Sequence, residues 1–338
     1  MKSKRVRVVH LVESLGGGVM SALESFVDRT PQVEHHLVGR VRSGSFSGFD
    51  RSPFESVTVI DGSLVRLMRA HIKVVDLVEP SVVHLHSSWA GLIGRLSPRK
   101  GAGIVYSPHC FFHERTDLPR IVRTVARGVE RGLGLRTDLL VGVSPWEANE
   151  GDRLGIRSSW VENRFPKRLQ SADSSGSNTR ARLVVTAGRI SAQKDPGYFL
   201  EVKRAVDLKV SGVRWLWVGD GDPALRNRLI SEGVHVSGWV GRSDALDLVR
   251  QAGVYVHTAA WEAAPLTLVE AEEAEVPIVV RSQRSLQSLG WQGVDTAVAL
   301  GELVAGGLEG HGVPSRGNPD SVPASLPDIY FEEYRAKR

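Results

Sequence analysis

Residues 82–106 read VVHLHSSWAGLIGRLSPRKGAGIVY, and this stretch decides the fold class. Val82–His86 is a short β-branched run, Trp89–Leu96 is a helix-period segment, and Gly103–Tyr106 is a second β-branched run. A strand, a helical crossover and a second strand form one unit of a parallel sheet covered by helices. The alternation continues outward. Strands are expected at Val6–Leu11, His36–Val41, Val57–Ile60 and Leu139–Val143, with a helix over Ser63–Val78. Residues 171–179 read SADSSGSNT, which has no apolar period and marks a linker. Beyond it the alternation restarts with Leu183–Thr186, Arg214–Val218, Val234–Val236, Val254–His257 and Ile278–Val280.

Two α/β domains in tandem follow. The first spans residues 1–168, the linker 169–180 and the second domain 181–320; residues 321–338 read as a C-terminal helix packing back toward the first domain. The length of 338 residues suits two domains of roughly 150 residues each. Ligands of such sheets bind at the carboxyl ends of the strands, so a cleft between two facing domains is the expected site of chemistry.

Composition narrows the class. Apolar residues make up 41% and charged residues 24%, as in an ordinary globular protein. No apolar run approaches the roughly 20 residues needed to cross a bilayer. The opening MKSKRVRVVHLVESLGG is basic and then apolar, but His10 and Glu13 interrupt it, so it reads as a first strand rather than a secretion signal. The single cysteine, Cys110, has no internal partner, which fits a reducing, cytoplasmic setting. Residues 1–168 carry 25 Lys+Arg against 17 Asp+Glu, and residues 169–338 carry 18 against 21. A basic first half suits an anionic partner, including the inner face of a membrane as a peripheral contact.

Two segments carry candidate chemistry. In His257-Thr-Ala-Ala-Trp-Glu-Ala-Ala-Pro-Leu-Thr-Leu-Val-Glu270, a strand ends near His257 and Pro265 suits the first position of a helix. Leu266 and Val269 share one face of that helix. Glu262 precedes it and Glu270 lies over one turn in, so both carboxylates can line a pocket and accept hydrogen bonds from vicinal sugar hydroxyls. The first-turn amides are left for a phosphate. In Ala187-Gly-Arg-Ile-Ser-Ala-Gln-Lys-Asp-Pro196, Arg189 and Lys194 occupy a strand-to-helix loop, where two cations suit a diphosphate and stabilise its departure.

These segments resemble the retaining glycosyltransferases of family 4, whose GT-B fold is two facing Rossmann-like domains. The family's paired glutamates match Glu262 and Glu270, and its diphosphate loop resembles Gly188, Arg189 and Lys194. The resemblance implies that Glu262 contacts hydroxyls of the transferred sugar, Glu270 the ribose, and Arg189 with Lys194 the leaving group. Gly16, Gly17 and Gly18 resemble the glycine loop facing the donor phosphates and acceptor. Ser107-Pro-His109 resembles the segment whose histidine touches the donor sugar, and Val161-Glu-Asn163 the turn closing the first domain. Gly219-Asp-Gly221 and Gly238-Trp-Val240 resemble loops that cup the base. The implied activity is retaining transfer from a nucleotide diphosphate sugar, a UDP-sugar, to an unidentified glycan, lipid-linked or small-molecule acceptor in glycan, glycolipid or exopolysaccharide synthesis. No cofactor, no catalytic metal and no nucleic acid are expected. Asp220-Gly-Asp222 resembles a metal pair but falls in a base-binding loop. The chain departs from the family at Glu275-Val-Pro277, at Arg281 and over 284–293.

Competing readings are a non-catalytic nucleotide-sugar or glycan binder of the same fold and, more distantly, an epimerase. A dinucleotide site lacks the G-x-G-x-x-G spacing. His84 and His86 are expected on opposite sides of their strand, which disfavours a metal pair. Over 119–135, Arg120, Arg123, Arg127 and Arg131 share one helix face opposite Ile121, Val122, Val125 and Val129. The expectation is that the valines pack on the sheet and the arginines face water; a basic stripe against anionic lipid is the alternative.

Overall fold

The computed structural model describes residues 5–41, 49–164 and 182–336. The linker expected at 169–180 and most of the loop at 43–51 lie outside the described residues. The chain divides into two compact units, one of Met1–Lys167 with Ser321–Arg338 and one of Arg168–Asp320.

In chain order the first unit contains β1 (Arg7–Val12), α1 (Gly17–Asp28), β2 (Glu34–Val41), β3 (Ser56–Asp61), α2 (Leu64–Val78), β4 (Val82–His86) and α3 (Ser88–Leu96). It continues with β5 (Gly103–Ser107), α4 (Arg120–Gly134), β6 (Leu139–Gly142), α5 (Pro145–Arg153) and β7 (Ser158–Trp160). The sheet runs β3-β2-β1-β4-β5-β6-β7, and each adjacent pair is parallel. Strand order reverses between β1 and β4, which makes the carboxyl ends of those two strands the switch point where ligands bind in such sheets.

The two sheet faces are built differently. Val9, Leu11, Val38, Val83 and Leu85 pack with Leu67, Val74 and Val75 of α2 and with Ala90 and Ile93 of α3. Side chains alternate along a strand, so the register His10↔His84 puts His10, His84 and His86 together on the other face. His84 and His86 thus do not oppose one another: residues two apart share a face, and their ring centroids are 4.1 Å apart. Phe26 of α1 covers this histidine-lined surface, with ring centroids 5.9 Å from His84 and 6.1 Å from His86.

The second unit contains β8 (Leu183–Ala187), α6 (Pro196–Asp207), β9 (Arg214–Val218), α7 (Pro223–Ser231), β10 (His235–Val236), α8 (Arg242–Arg250) and β11 (Val254–His257). After these come α9 (Leu266–Glu273), β12 (Ile278–Arg281), α10 (Arg284–Ser288), β13 (Gly293–Val294) and α11 (Ala297–Leu308). Its sheet is β10-β9-β8-β11-β12-β13, also parallel at each pair, with its switch point between β8 and β11. Val184, Val254, Val256, Phe199, Val202, Trp217, Leu300 and Val304 form its core.

Helix α12 (Leu326–Ala336) returns to the first unit. Ala324 N–H donates to Trp160 O at 2.8 Å, Trp160 Nε1 donates to Ser321 Oγ at 2.8 Å, and Glu333 pairs with Arg157. Leu326, Ile329 and Tyr330 are buried there.

Helix α4 overturns the expectation that its valines pack on the sheet, while Arg120, Arg127 and Arg131 face solvent as expected. Ile121 is 75% exposed and Val125 61%, so the valine arc faces solvent. The inward side carries Glu130, whose carboxylate accepts from buried Arg95 at 2.7 Å, and Arg123, whose Nε donates to His113 O at 2.8 Å. The Arg95 guanidinium lies 4.0 Å over the Tyr106 ring. A buried arginine must be paired, so its partner Glu130 sets which side of α4 turns inward.

Candidate active site

In the second unit, the loops that follow the two switch-point strands are stitched together. After β8, residues 188–195 run alongside residues 258–262, which follow β11. Ala260 N–H donates to Gln193 O at 2.8 Å, Thr258 Oγ1 donates to Lys194 O at 3.0 Å, and Gln193 Nε2 donates to Trp261 O at 3.1 Å. This brings the Lys194 ammonium into an ion pair with Glu262. Glu270, on α9, accepts from Arg242 Nη2 at 3.0 Å. Burial raises the Glu270 carboxyl above its usual value, while Arg242 and then Lys194 draw it back. Both carboxylates act on buried Tyr255, whose hydroxyl accepts from Ala187 N–H at 3.3 Å. Lys194, Glu262 and Glu270 therefore converge over the ends of β8 and β11.

Arg189 lies in the same loop with its side chain exposed, and it forms no ion pair with a described residue. Pro265 sits just before α9 rather than in its first turn, because the helix starts at Leu266, which is buried. The glycines have a packing reason. A Cβ on Gly219 would stand 2.4 Å from Gly188 O, and one on Gly221 would stand 2.1 Å from Ile190 O. Only residues without side chains let these two loops approach so closely. Gly238 pairs back to Gly219 in an antiparallel bridge, carrying half-buried Val240 nearby in sequence. Asp222 caps α7, accepting from Ala224 N–H at 2.9 Å and Leu225 N–H at 3.0 Å, and Asp220 pairs with Arg226 at 3.3 Å. Both carboxylates of the Asp220-Gly-Asp222 segment are engaged in local structure.

Residues 281–285 brace the Glu262 loop. Arg281 Nη1 donates to Thr258 O at 3.4 Å, Gln283 Nε2 to Ala259 O at 2.6 Å and Ser285 Oγ to Glu262 O at 2.5 Å. Arg281 also donates to Asp195 at 2.7 Å and stacks 4.1 Å over Tyr198. Sequence reading missed Arg242, named Arg281 only as a departure from the family and His257 only as a strand end. Burial keeps His257 neutral, and its Nε2 has no bonding partner among the described residues.

In the first unit, Gly17 and Gly18 are exposed at the start of the 12-residue helix α1, after the end of β1. Gly17 has φ of 66°, which a glycine adopts without strain, and a Cβ on either would meet nothing within 4 Å. That helix start has no capping side chain and no acidic residue in its first turn, so its free amides suit an anion. His109 follows β5 at φ of 50° beside Cys110 at φ of 88°. Glu147 holds this strained turn: its carboxylate accepts from Cys110 N–H at 2.7 Å and from Val143 N–H at 2.8 Å. Burial pushes the Glu147 carboxyl up to about 7.

His109, itself half-buried, ends a row that continues through the buried rings of His86, His10 and His35. His35 Nδ1 lies 2.9 Å from His10 Nε2, His10 Nδ1 3.0 Å from His86 Nε2, and His86 Nδ1 3.1 Å from His109 Nε2. Burial lowers His35 and His109 to about 4, and lowers His10, His84 and His86 well below the ordinary histidine value. Among the described residues, His10, His84 and His86 also present ring nitrogens within 4.8 Å of one another, a spacing able to hold a metal ion.

Comparison with known proteins bears on the family and the fold. Residues 24–162 match the model described as Glycosyltransferase Family 4, and residues 181–304 match that described as Glycosyl transferases group 1. An uncharacterized 41.2 kDa protein in the cps region of Klebsiella pneumoniae is 24% identical over 83% of this chain and 82% of its own length. The Escherichia coli UDP-Gal:alpha-D-GlcNAc-diphosphoundecaprenol alpha-1,3-galactosyltransferase is 25% identical over 64% of this chain and 62% of its own. Among solved structures, Anabaena HepE in complex with UDP and glucose superposes with a TM-score of 0.68 at 15% identity, covering 97% of this chain and 95% of that one. With both parallel sheets and both family matches in place, the chain belongs to the family 4 glycosyltransferases of GT-B fold.

Proposed function

We propose that this glycosyltransferase moves a hexosyl group from a UDP-sugar to a glycan or lipid-linked acceptor, with retention of configuration and without a metal ion. The observation that carries the reading is the convergence of Lys194, Glu262 and Glu270 at the switch point of the second sheet. Lys194 and Arg189 hold the diphosphate as point charges, and Lys194 strengthens its grip as negative charge grows on the leaving oxygen. Without donor, Lys194 and Glu262 neutralise one another; an arriving diphosphate offers the ammonium further anionic oxygens and frees Glu262 for sugar hydroxyls. Glu270 with Arg242 orients the ribose. In the retaining reaction the departing phosphate accepts the proton of the attacking hydroxyl on the same face, so no separate general base is required. The Escherichia coli relative takes UDP-Gal and a diphosphoundecaprenol-linked sugar, and HepE holds UDP; both support a uridine donor here.

A thermal-shift panel tests the donor. At a hundredfold excess over Kd, the matching UDP-sugar should stabilise by about 2.7 kcal/mol and raise Tm by a few degrees, equally with EDTA and with Mg²⁺. Slow release of free UDP in the same wells distinguishes an enzyme from a binder. Shifts that require Mg²⁺, or no shift with any nucleotide sugar, would remove the metal-free UDP-sugar reading.

Helix α4 supports a peripheral membrane contact, in keeping with an acceptor carried on lipid. No helix among the described residues is long and apolar enough to cross a membrane. On α4, however, Ile121, Val122, Val125 and Val129 form an exposed apolar arc bordered by exposed Arg120, Arg127 and Arg131. Apolar residues dip below the headgroups while arginines meet anionic lipid. Replacing Ile121 and Val125 together by aspartate is expected to weaken binding to phosphatidylglycerol vesicles about 100-fold, from roughly 3 kcal/mol of lost burial. Co-sedimentation measures this; unchanged pelleting would exclude α4 as the contact.

A further inference from the structure

We propose that the histidine row of the first unit fixes one tautomer of His109, with hydrogen on Nε2 and a lone pair on Nδ1. In this arrangement His35, His10 and His86 act as positioning residues that present Nδ1 as an acceptor for a substrate hydroxyl.

The assignment starts at Thr30. Its hydroxyl donates to Phe26 O at 2.7 Å, so its oxygen can only accept from a further neighbour. His35 Nε2 lies 3.0 Å from that oxygen and 3.2 Å from Thr30 O, a carbonyl, and both partners require Nε2 to carry the hydrogen. Neutral His35 then has its lone pair on Nδ1, and His10 Nε2, 2.9 Å away, must donate. His10 Nδ1 is left to accept, so His86 Nε2 donates across 3.0 Å. His86 Nδ1 accepts in turn, so His109 Nε2 donates across 3.1 Å. Each ring dictates the next, and the polarity set by one backbone carbonyl arrives at His109 four rings later. Among the described residues, Nδ1 of His109 has no hydrogen-bond partner and ends the row.

A side branch obeys the same rule. Ser107 Oγ donates to Val141 O at 2.6 Å, so it accepts from His84 Nε2 at 2.9 Å. His84 Nδ1 then accepts from the Tyr330 hydroxyl at 2.8 Å. The His84 ring lies beside that of His86, with centroids 4.1 Å apart and planes tilted by 33°, so two neutral rings of the same tautomer are neighbours. Burial holds every ring in the row neutral at pH 7, which removes imidazolium as an alternative donor.

The chemical consequence rests on the glycosyl-transfer reading. A neutral acceptor nitrogen selects a hydroxyl over a carbonyl or ether oxygen at that position of the substrate. It also places no positive charge near a sugar ring that becomes cationic as its bond to the diphosphate lengthens.

Long-range ¹H–¹⁵N correlation spectra of protein labelled at its imidazoles read the tautomers directly, without substrate. The expected result is that His10, His35, His84, His86 and His109 all show protonated Nε2 and unprotonated Nδ1. In His10→Gln the row is cut, and His86 and His109 are expected to show both tautomers in exchange while His35 keeps its form. The His10→Gln variant should also lose about tenfold in kcat/KM for the UDP-sugar. A wild-type spectrum with hydrogen on His109 Nδ1 overturns the inference even if the variant fails to fold. Co²⁺ that gives visible d–d bands with the wild type and not with His10→Gln would also overturn it, because the lone pairs would then be metal ligands. If the tautomers are as stated but no nucleotide sugar moves the His109 Nδ1 resonance, the row stands and the functional reading of His109 fails instead.

Discussion

Replacing Lys194 with alanine is expected to lower kcat/KM for sugar transfer by about a thousandfold. Removing one preorganised group that stabilises developing negative charge costs on the order of 3–4 kcal/mol in enzymes where it has been measured as rate loss. Here the substitution does two things at once, since Lys194 also neutralises Glu262. Both side chains are mostly buried, at 17% and 12% exposure, so the orphaned carboxylate costs roughly 1–2 kcal/mol of stability. A Tm lower by several degrees is therefore expected along with the rate loss. Glu262→Gln separates the effects: its amide oxygen still accepts from Lys194, so stability changes little while sugar contacts weaken. Steady-state kinetics on Lys194→Ala at saturating acceptor decide the matter, and activity within threefold of wild type would show that the leaving group is stabilised elsewhere.

Acidification from pH 7.5 to 5 is expected to destabilise the protein by several kcal/mol. Histidines whose folded values are depressed refuse a proton that the unfolded chain accepts below about 6.5. Their contribution is complete above that value and is lost progressively as pH falls toward 4. His35 and His71, both buried and lowered from 6.5 to about 4, each lose about 2 kcal/mol by pH 5. His10, His84, His86 and His257 are lowered further and add to the loss. Glu147 works the other way. Its folded value is raised from 4.5 to about 7, so it weakens the fold above that range and gives back roughly 2 kcal/mol on acidification. The histidines outnumber it, and total domain stabilities of about 5–15 kcal/mol leave little margin. Urea titrations at pH 7.5, 6 and 5 should show a falling midpoint, and His71→Leu should recover part of the loss at pH 5. A midpoint that stays level across this range would mean that the rings are charged in the folded protein.

Much of the fold is legible in local pattern. Val82–His86, Arg214–Val218 and Val254–His257 are strands with the bounds read from their β-branched runs. The strands Ser158–Trp160 and Gly293–Val294 escape, because each is an edge strand of two or three residues with no room for a period. Orientation is harder. The two arcs of α4 are visible in the sequence, but which one turns inward depends on Arg95, 35 residues before Glu130 and on another helix. The histidine row is legible as far as alternation goes: residues two apart in a strand share a face, and reading His84 and His86 as opposed misapplies that rule. Its completion by His10, His35 and Tyr330 needs the strand order β2-β1-β4 and a helix 246 residues away. At the candidate site, Lys194 and Glu262 stand out by residue type and loop position. Arg242 does not, since nothing near it in sequence indicates its pairing with Glu270.

The return of α12 has a consequence for how the protein is made. Ribosomes emit residues in order, and Tyr330 emerges after the whole of the second unit. Until then His84 waits without the hydroxyl that serves its Nδ1, and Trp160 without Ser321 and Ala324. The earliest-synthesised sheet is therefore finished late, by a contact whose long sequence separation makes it slow to form. A released chain truncated after Asp320 should bind chaperones through its first unit while its second unit folds.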